Sequence, residues 1–326
     1  MRHVIAVVLL FGLALPATAQ EPRAQLNAVG LESAYDDWLA AQGTTGILGL
    51  GSRLEDGRWV ALRDSDLDAV QMGELASVSK SITAACALHL VEGGPLEWST
   101  RLPALLGAAP DVTIAELITH TSGLGPDSTQ ATMPSWLGRT TDSTTHFSYH
   151  VLSAVNARET QQGTRGAYLY NNENYALLGL VIEATSASTY WETCKAELDL
   201  SDDISPSPRA GAFQPWGGLQ AHPDAYVSFL ETHFGPNSII GLDPFALPHV
   251  EIAEGVYYGL GMVFRRFGDS YNFWHFGALC FPEQMNAGSY AVLWEGEVGA
   301  LALYDACVDW PAMGALDGAL TRAVYP

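Results

Sequence analysis

The sequence predicts an α+β fold in which helices flank an antiparallel sheet and a mainly helical region is inserted in the middle of the chain. Helical patterns at the two ends enclose strand patterns, and the residues between them have mostly helical periodicity. Strand patterns occur near the N-terminus and again after about residue 250. We expect these strands to form one sheet, giving an α/β sandwich beside a separate helical lobe.

The N-terminal elements follow from local patterns. Residues 28–43 are predicted to form a helix that ends at Gly43, because apolar residues recur there at helical spacing. Residues 45–53 and 58–64 are predicted strands, and the turn signal Glu55-Asp56-Gly57 joins them. The sheet should therefore begin with a hairpin.

Predicted helices dominate the middle of the chain, and predicted strands dominate its C-terminal part. A predicted helix over 77–92 is apolar and is ended by Gly93-Gly94. Residues 126–145 are rich in Ser, Thr, Pro and Asp, and they are predicted to form a long surface loop. Residues 113–124 are predicted to form a short helix that runs into a tight turn. Further helices are predicted at 174–186, from about Pro223, and at 314–325, and strands at 256–266, 272–280, 289–296 and 299–307.

The first nineteen residues have the pattern of a secretory signal peptide. Arg2 and His3 precede the apolar run Val4–Leu15, and small residues up to Ala19 follow it. The run is shorter than the ~20 apolar residues that a membrane-spanning helix needs, and no later stretch meets that length. We expect cleavage after Ala19, export to a bacterial periplasm or the medium, and no membrane span.

The remaining residues, 20–326, are predicted to form one domain. Its α/β lobe is expected over 20–75 and about 250–326, and its helical lobe over about 76–249. The chain carries 15 basic and 36 acidic residues, for a net charge of −21. Because a nucleic acid needs a basic surface, this charge argues against a nucleic-acid partner. Nothing in the sequence indicates the oligomeric state.

Four cysteines are present, and export permits them to form disulfides. They allow three pairings. We expect Cys280 to pair with Cys307. Cys86 lies within an apolar helix pattern, so we expect it to be a buried thiol, which leaves Cys194 without a predicted partner.

The sequence contains no CxxC and no HExxH, the spacings typical of zinc sites. His146 and His150 lie four residues apart, but they lack a third ligand, and we expect both at the surface. We therefore expect neither a metal nor another cofactor.

A serine and a lysine three residues apart, Ser77 and Lys80, stand at the head of the apolar helix pattern. Such a tetrapeptide also arises by chance, since serine often begins a helix. Two further motifs raise its weight. Tyr170-Asn171-Asn172 precedes an apolar helix pattern, and His275-Phe276-Gly277 lies in a predicted strand. "HTSGL" lies between the serine–lysine motif and the tyrosine motif, and "GGL" lies between the tyrosine motif and the histidine motif.

In this order the motifs resemble the serine hydrolases of the class C β-lactamase and D-Ala-D-Ala carboxypeptidase type, which include esterases and D-aminopeptidases. The resemblance extends from about residue 30 to 320 and implies a β-lactamase/transpeptidase-like fold. It implies that Ser77 forms an acyl-enzyme, with Lys80 and Tyr170 as a coupled acid–base pair. Which of the two is the general base stays open at this point.

The resemblance also implies roles for residues around the nucleophile. The N–H groups of Ser77 and Ala278 would form the oxyanion hole, and Gly277 would let its strand approach the acyl group. Asn172 would hold the substrate amide or Lys80, and His275 would line the cleft. His120, in "HTSGL", is expected to belong to a turn that supports the site.

Three departures from the family pattern bear on the substrate. His275 stands where typical class C β-lactamases have lysine, which favours carboxypeptidase, aminopeptidase or esterase activity. No Pro-Gly precedes Tyr170, and the stretches 187–215 and 264–272 are short, which predicts a more open cleft. A short-chain ester, a D-amino-acid peptide and a β-lactam all stay open as small-molecule or peptide substrates.

Two other readings of the chain are weaker. A non-catalytic penicillin-binding-like protein that recognises cell-wall peptide would share the fold, and chemical labelling of Ser77 separates it from a hydrolase. A Ser-His-Asp hydrolase of the α/β type is disfavoured, because no G-x-S-x-G occurs.

Overall fold

The computed structural model describes residues 23–62, 72–139 and 146–325. A large antiparallel sheet of eight strands runs through it in the order β2-β1-β11-β10-β9-β8-β7-β6, and a small sheet has the order β3-β5-β4. The strands are β1 Gly46–Arg53, β2 Trp59–Leu62, β3 Gly73–Glu74, β4 Ile204–Pro206, β5 Leu219–Ala221, β6 His249–Ala253, β7 Val256–Gly259, β8 Met262–Phe267, β9 Ser270–Phe281, β10 Met285–Trp294 and β11 Val298–Tyr304.

The α+β prediction is confirmed, and helices cover both faces of the large sheet. Short 3₁₀ turns occupy Ala76–Val78, Gly211–Phe213 and Pro244–Ala246. The α-helices are α1 Ala28–Gln42, α2 Ser79–Glu92, α3 Leu102–Leu106, α4 Ile114–Ile118, α5 Thr129–Trp136, α6 Ser148–Asn156, α7 Asn172–Ser186, α8 Tyr190–Glu197, α9 Pro223–Phe234, α10 Ile239–Leu242 and α11 Trp310–Val324.

The first and last helices pack together on one face of the large sheet. Helix α1 begins at the N-cap Asn27, whose side chain accepts from the Gly30 N–H, and it ends at Gly43 with a φ of 62°. That left-handed conformation suits glycine. The predicted stripe of Leu31, Tyr35, Trp38 and Leu39 is buried against α11 and the sheet.

The opposite face of the sheet carries the helical part of the chain. Residues Ser79–Leu88 of α2 are all buried, so this helix is covered on every side, as in the core of a large domain. Helix α7 packs against α2, α4 and α6, and α9 packs on β1, β2 and β11. The large sheet and α2 therefore meet where β9 approaches the start of α2.

Three of the predicted segments have a different conformation in the structure. Residues 129–136, predicted as surface loop, form α5 despite Pro134. The predicted strand 256–266 is two strands, since Leu260 and Gly261 adopt positive φ and turn the chain. Ser77 lies in a 3₁₀ turn, and the α-helix proper begins at Ser79.

Two disulfides are present, Cys280–Cys307 and Cys86–Cys194. The first confirms the predicted pair. The second corrects the expectation of a buried thiol at Cys86, because α8 packs on α2 and brings Cys194 to it. A helix-to-helix contact across 108 residues leaves no local sequence pattern.

The predicted signal peptide lies outside the described residues, and the division into lobes stays a prediction. Helix α9, which that division assigns to the helical lobe, packs on the large sheet. In the described ranges, every helix is too short or too polar to cross a membrane.

The Cys86–Cys194 bridge closes the longer loop, and we expect it to stabilise the fold more than its counterpart. Loops of 108 and 27 residues correspond to about 4.8 and about 3.6 kcal/mol of lost chain entropy in the unfolded state. Replacing Cys86 and Cys194 with alanine should therefore lower the free energy of unfolding by about 1 kcal/mol more than replacing Cys280 and Cys307. Urea denaturation of both double variants measures this, and an equal or reversed order would contradict it.

Candidate active site

Ser77 is presented by a tight turn between β3 and α2. Ala76 adopts a left-handed φ of 46°, a conformation that costs energy for a residue with a side chain. The carbonyl of Leu75 accepts hydrogen bonds from the Val78 N–H at 2.9 Å and from the Ser289 hydroxyl of β10 at 2.6 Å. The turn is thus tied to the large sheet directly behind Ser77.

Lys80 follows one helical turn later and is completely buried. Its Nζ donates to three acceptors: the Ser77 hydroxyl at 3.1 Å, the Asn172 Oδ1 at 2.8 Å and the Trp216 carbonyl at 2.6 Å. An ammonium has three N–H donors, so each of its protons has one partner. Burial lowers the pKa of Lys80 to about 7, while Asp127 acts in the opposite direction.

Asn172 is held in one orientation by its neighbours. Its Nδ2 donates to the Thr129 hydroxyl at 3.0 Å, which leaves Oδ1 to face Lys80. Its main-chain N–H donates to the Asp127 carboxylate at 3.0 Å, and Asp127 also accepts from the Thr129 N–H and hydroxyl. The amide oxygen, an acceptor only, is therefore fixed toward the lysine.

An ion pair between the partly exposed Arg158 and the buried Glu173 anchors the segment that orients Asn172. Arg158 binds the fully buried carboxylate of Glu173, which also accepts from the Ser128 N–H at 2.9 Å and hydroxyl at 2.6 Å. Because Ser128 follows Asp127, the pair fixes the main chain that carries the Asp127 carboxylate.

Tyr170 lies beside Lys80, with 5.0 Å between the Lys80 Nζ and the centre of the phenol ring. Its hydroxyl is buried, and within the described part of the chain it makes no hydrogen bond of normal distance and angle. Burial raises the pKa of Tyr170 well above its usual value, and the nearby Ser77 hydroxyl lowers it by less. The phenol is therefore neutral and lies close to the Ser77 hydroxyl.

Strand β9 passes next to the nucleophile. A Cβ at Gly277 would lie 2.9 Å from the Ser77 nitrogen, 2.6 Å from the Leu75 carbonyl and 2.3 Å from the Ser289 hydroxyl. Only glycine permits this approach. Gly277 therefore brings the following residue, Ala278, to the same cavity as Ser77.

His275 lies on the same face of β9 as Gly277, and it is buried, with only 6% of its surface exposed. Its Nδ1 donates to the Phe276 carbonyl at 2.6 Å, and its ring centre lies 6.0 Å from that of Tyr170. Burial and the Lys80 charge lower the pKa of His275 to about 3. The imidazole is thus neutral and packs behind Tyr170, and its predicted contact with substrate stays a prediction.

A cavity of about 220 Å³ opens beside Ser77. Among the described residues that line it, the side chains are uncharged at neutral pH. They are Ser77, Gln130, Met133, Tyr170, Asn172, Trp216, Gly217 and Ala278–Phe281. The structure thus brings Ser77, Tyr170, Asn172 and Ala278 to one cavity, with Lys80 and Gly277 directly behind it.

Sequence reasoning missed the groups that orient Lys80 and Asn172. Asp127 and Thr129 lie in the segment predicted as surface loop, although an Asp-Ser-Thr run before a helix is an N-terminal signal. The Trp216 acceptor is a main-chain carbonyl, so its side chain gave no indication of that role. Helix α5 also supplies Gln130 and Met133 to the cavity.

Residues that the sequence placed outside the chemistry have structural contacts. The Ser79 hydroxyl accepts from the Leu219 N–H at 3.2 Å, and the Tyr168 ring packs 5.6 Å from that of Tyr258. His150 is exposed, as expected. His146 is buried between Ser148 and Glu183, so its predicted surface position is wrong; it precedes α6 and faces α7.

Comparison with known families identifies the chain. The family model described as Beta-lactamase matches residues 54–248, more than half of the sequence. The chain belongs to the β-lactamase family. The matched residues of this family, whose members are serine hydrolases, include Ser77, Lys80 and Tyr170 but end before His275.

Solved structures share the β-lactamase-family fold over nearly the whole chain, at identities that establish fold alone. A D-amino acid amidase from Ochrobactrum anthropi SV3 is 16% identical with a TM-score of 0.67, covering 90% of this chain and 99% of its own. A penicillin binding protein from Bacillus halodurans is 20% identical with a TM-score of 0.65 and the same coverage. A D-stereospecific amidohydrolase from Streptomyces sp. is 17% identical with a TM-score of 0.66, covering 92% and 99%. A comparison with curated protein sequences gives no match.

The lowered pKa of Lys80 predicts how the reactivity of Ser77 depends on pH. Below a pH of about 7 the amine is protonated and lacks a lone pair, so labelling by a fluorophosphonate should slow about tenfold per pH unit. Above that pH the rate should level off. Intact-mass spectrometry of Ser77 labelling between about pH 5 and about pH 9 measures this, and a constant rate over that range would contradict it.

Proposed function

We propose that the protein hydrolyses an ester or amide through a Ser77 acyl-enzyme and that Lys80 is the general base. One observation carries this proposal. Of the three partners of the Lys80 Nζ, the Asn172 Oδ1 and the Trp216 carbonyl can only accept hydrogen bonds. When the ammonium loses a proton, its two remaining N–H groups stay on those acceptors, and its lone pair faces the Ser77 hydroxyl.

Acylation then follows from this geometry. The Ser77 oxygen attacks the acyl carbon while its proton moves to the Lys80 nitrogen, whose pKa of about 7 suits this exchange near neutral pH. The oxyanion that develops would be held by the N–H groups of Ser77 and Ala278. Each such donor is typically worth about 3 kcal/mol of barrier.

Tyr170 is proposed to complete the proton transfer. Its neutral, unsatisfied hydroxyl lies at the cavity and close to Ser77, where it can give a proton to the leaving group and recover one from Lys80. Water then attacks the acyl-enzyme by the same steps in reverse, which releases the acid and restores the Ser77 hydroxyl. Lys80 and Tyr170 thus titrate as a pair.

The cavity favours a substrate that carries no carboxylate. Its uncharged lining includes Met133, Trp216, Leu279 and Phe281, and a carboxylate placed among them would lose hydration without a cationic partner. The chain's net charge of −21 also repels anions. A β-lactam antibiotic keeps its carboxylate on the acyl part, and a peptide ending in D-Ala-D-Ala carries it on the leaving D-alanine, whereas short-chain esters and amino acid amides carry no carboxylate.

Two structural neighbours, named as a D-amino acid amidase and a D-stereospecific amidohydrolase, support keeping amides in this proposal. Export is also proposed. It is supported by two disulfides, which are typical of oxidising compartments. Mass spectrometry of the mature N-terminus would test cleavage after Ala19.

Covalent labelling tests the acyl-enzyme mechanism. We expect a fluorophosphonate to add one adduct on Ser77 and Ser77→Ala to remove both the adduct and ester turnover. Lys80→Ala should slow labelling by at least about 100-fold, because it removes general-base assistance. Intact-mass spectrometry and hydrolysis of p-nitrophenyl butyrate give the two measurements.

The control for this experiment is Ser79→Ala, which removes a buried hydroxyl one position before Lys80. It should leave the rate of labelling at Ser77 unchanged. If the fluorophosphonate does not label the wild-type protein and the protein does not hydrolyse the ester, the mechanism is refuted. That outcome would also favour the non-catalytic, penicillin-binding-like alternative.

A matched pair of esters tests whether a carboxylate on the acyl group is disfavoured. p-Nitrophenyl butyrate and mono-p-nitrophenyl succinate share a leaving group and differ in a terminal carboxylate. We expect kcat/KM to be at least about tenfold higher for the butyrate, and Gln130→Lys to raise the succinate value about tenfold. Gln130 is exposed at the cavity, so this variant adds a cation without disturbing the core.

Gln130→Met, similar in size but uncharged, is the control and should leave the ratio of the two esters unchanged. Equal kcat/KM values for both esters in the wild-type protein would reject the preference for substrates without a carboxylate while leaving the acyl-enzyme mechanism intact.

A further inference from the structure

His120 contacts both sides of Tyr170 through the main chain. The His120 carbonyl accepts from the Leu169 N–H at 2.9 Å, and the His120 Nδ1 accepts from the Asn171 N–H at 3.3 Å. These two residues are the immediate neighbours of Tyr170 in the chain. One residue therefore holds the backbone before and after the phenol.

The His120 ring also packs directly on the phenol. The two ring centres lie 4.5 Å apart with an angle of 40° between the planes. Tyr258 and Tyr175 enclose the other sides of the imidazole, at 5.0 and 5.2 Å. Such close aromatic packing leaves Tyr170 little freedom to tilt.

The hydrogen bonds of His120 determine its tautomer. Its Nδ1 accepts from the Asn171 N–H and from the Asn174 Nδ2 at 3.0 Å, so the ring proton must sit on Nε2. Nε2 faces the Tyr258 hydroxyl at 3.2 Å. Burial, and to a smaller extent the Lys80 charge, lowers the pKa of His120 well below its usual value, and the ring stays neutral.

The backbone of His120 makes the double contact possible. Its φ of 57° is left-handed, a conformation in which histidine and asparagine occur more often than most residues. In it the carbonyl and the side chain both face residues 169–171. His120 lies two residues after the end of α4, whose Ile114, Leu117 and Ile118 are buried, so its contacts with residues 169–171 start from a segment anchored in the core.

We propose that His120 is the positioning residue for Tyr170, holding its phenol at the distance from Ser77 that proton transfer requires. The proposal rests on the proposed function, in which Tyr170 acts in acyl transfer. Misplacing a catalytic group by about 1 Å can cost on the order of 100-fold in rate. Loss of His120 should therefore act through Tyr170 and not through the fold as a whole.

A double-mutant cycle tests this coupling. We expect His120→Ala to lower kcat/KM for p-nitrophenyl butyrate by at least about tenfold in the wild-type protein, but by less than about twofold when Tyr170 is already phenylalanine. His120→Asn should recover part of the loss, because asparagine tolerates the left-handed backbone and its Oδ1 can accept from the Asn171 N–H. Thermal unfolding of each variant shows that the folded protein is being compared.

The control is His146→Ala, which removes another buried histidine of the helical region, bonded to Ser148 and Glu183. His146→Ala should change kcat/KM by the same factor in the wild-type protein and in the Tyr170→Phe variant. If His120→Ala does not fold, His120→Asn takes its place in the cycle.

Equal losses from the His120 change in both backgrounds, or no loss in the wild-type protein, would overturn the positioning role. A Tyr170→Phe variant with full activity would instead reject the proposed role of Tyr170, and absence of hydrolysis by the wild-type protein would reject the proposed function.

Discussion

The site depends on a lysine amine that is completely buried and held by three oxygen acceptors. Removing an ammonium from water is costly, and Lys80 has no carboxylate among its three hydrogen-bond partners. The protein lowers that cost by letting the amine lose its proton near neutral pH. Because two of the partners cannot donate, deprotonation turns the lysine into a base aimed at Ser77.

Much of the surrounding structure serves to keep those acceptors in place. The Trp216 carbonyl comes from the segment before β5, and the Asn172 oxygen comes from the first residue of α7. Asn172 is in turn oriented by Thr129 and Asp127, and the Arg158–Glu173 pair holds the segment that carries them. Loss of Arg158 would leave the fully buried Glu173 carboxylate without its cationic partner, so this contact is costly to break.

Long periodic elements could be predicted from the sequence, and short or contact-dependent ones could not. The apolar stripe of α1 and the turn at Gly43 appear directly in the residue order. Helix α5 was missed because its polar composition and Pro134 are typical of a loop. The two- and three-residue strands of the small sheet are too short to show periodicity, and they exist because they pair with one another.

The sequence by itself indicated most of the groups that the structure brings to one cavity. The three-residue spacing of Ser77 and Lys80 places both at the start of α2, and Gly277 marks a strand that must approach closely. Only the tertiary structure decided which way the lysine lone pair points and which residue holds Tyr170. Those depend on contacts between Lys80 and Trp216, 136 residues apart, and between His120 and Asn171, 51 residues apart. Local patterns record the preferences of neighbouring residues, whereas such distant contacts exist only after the whole core has packed.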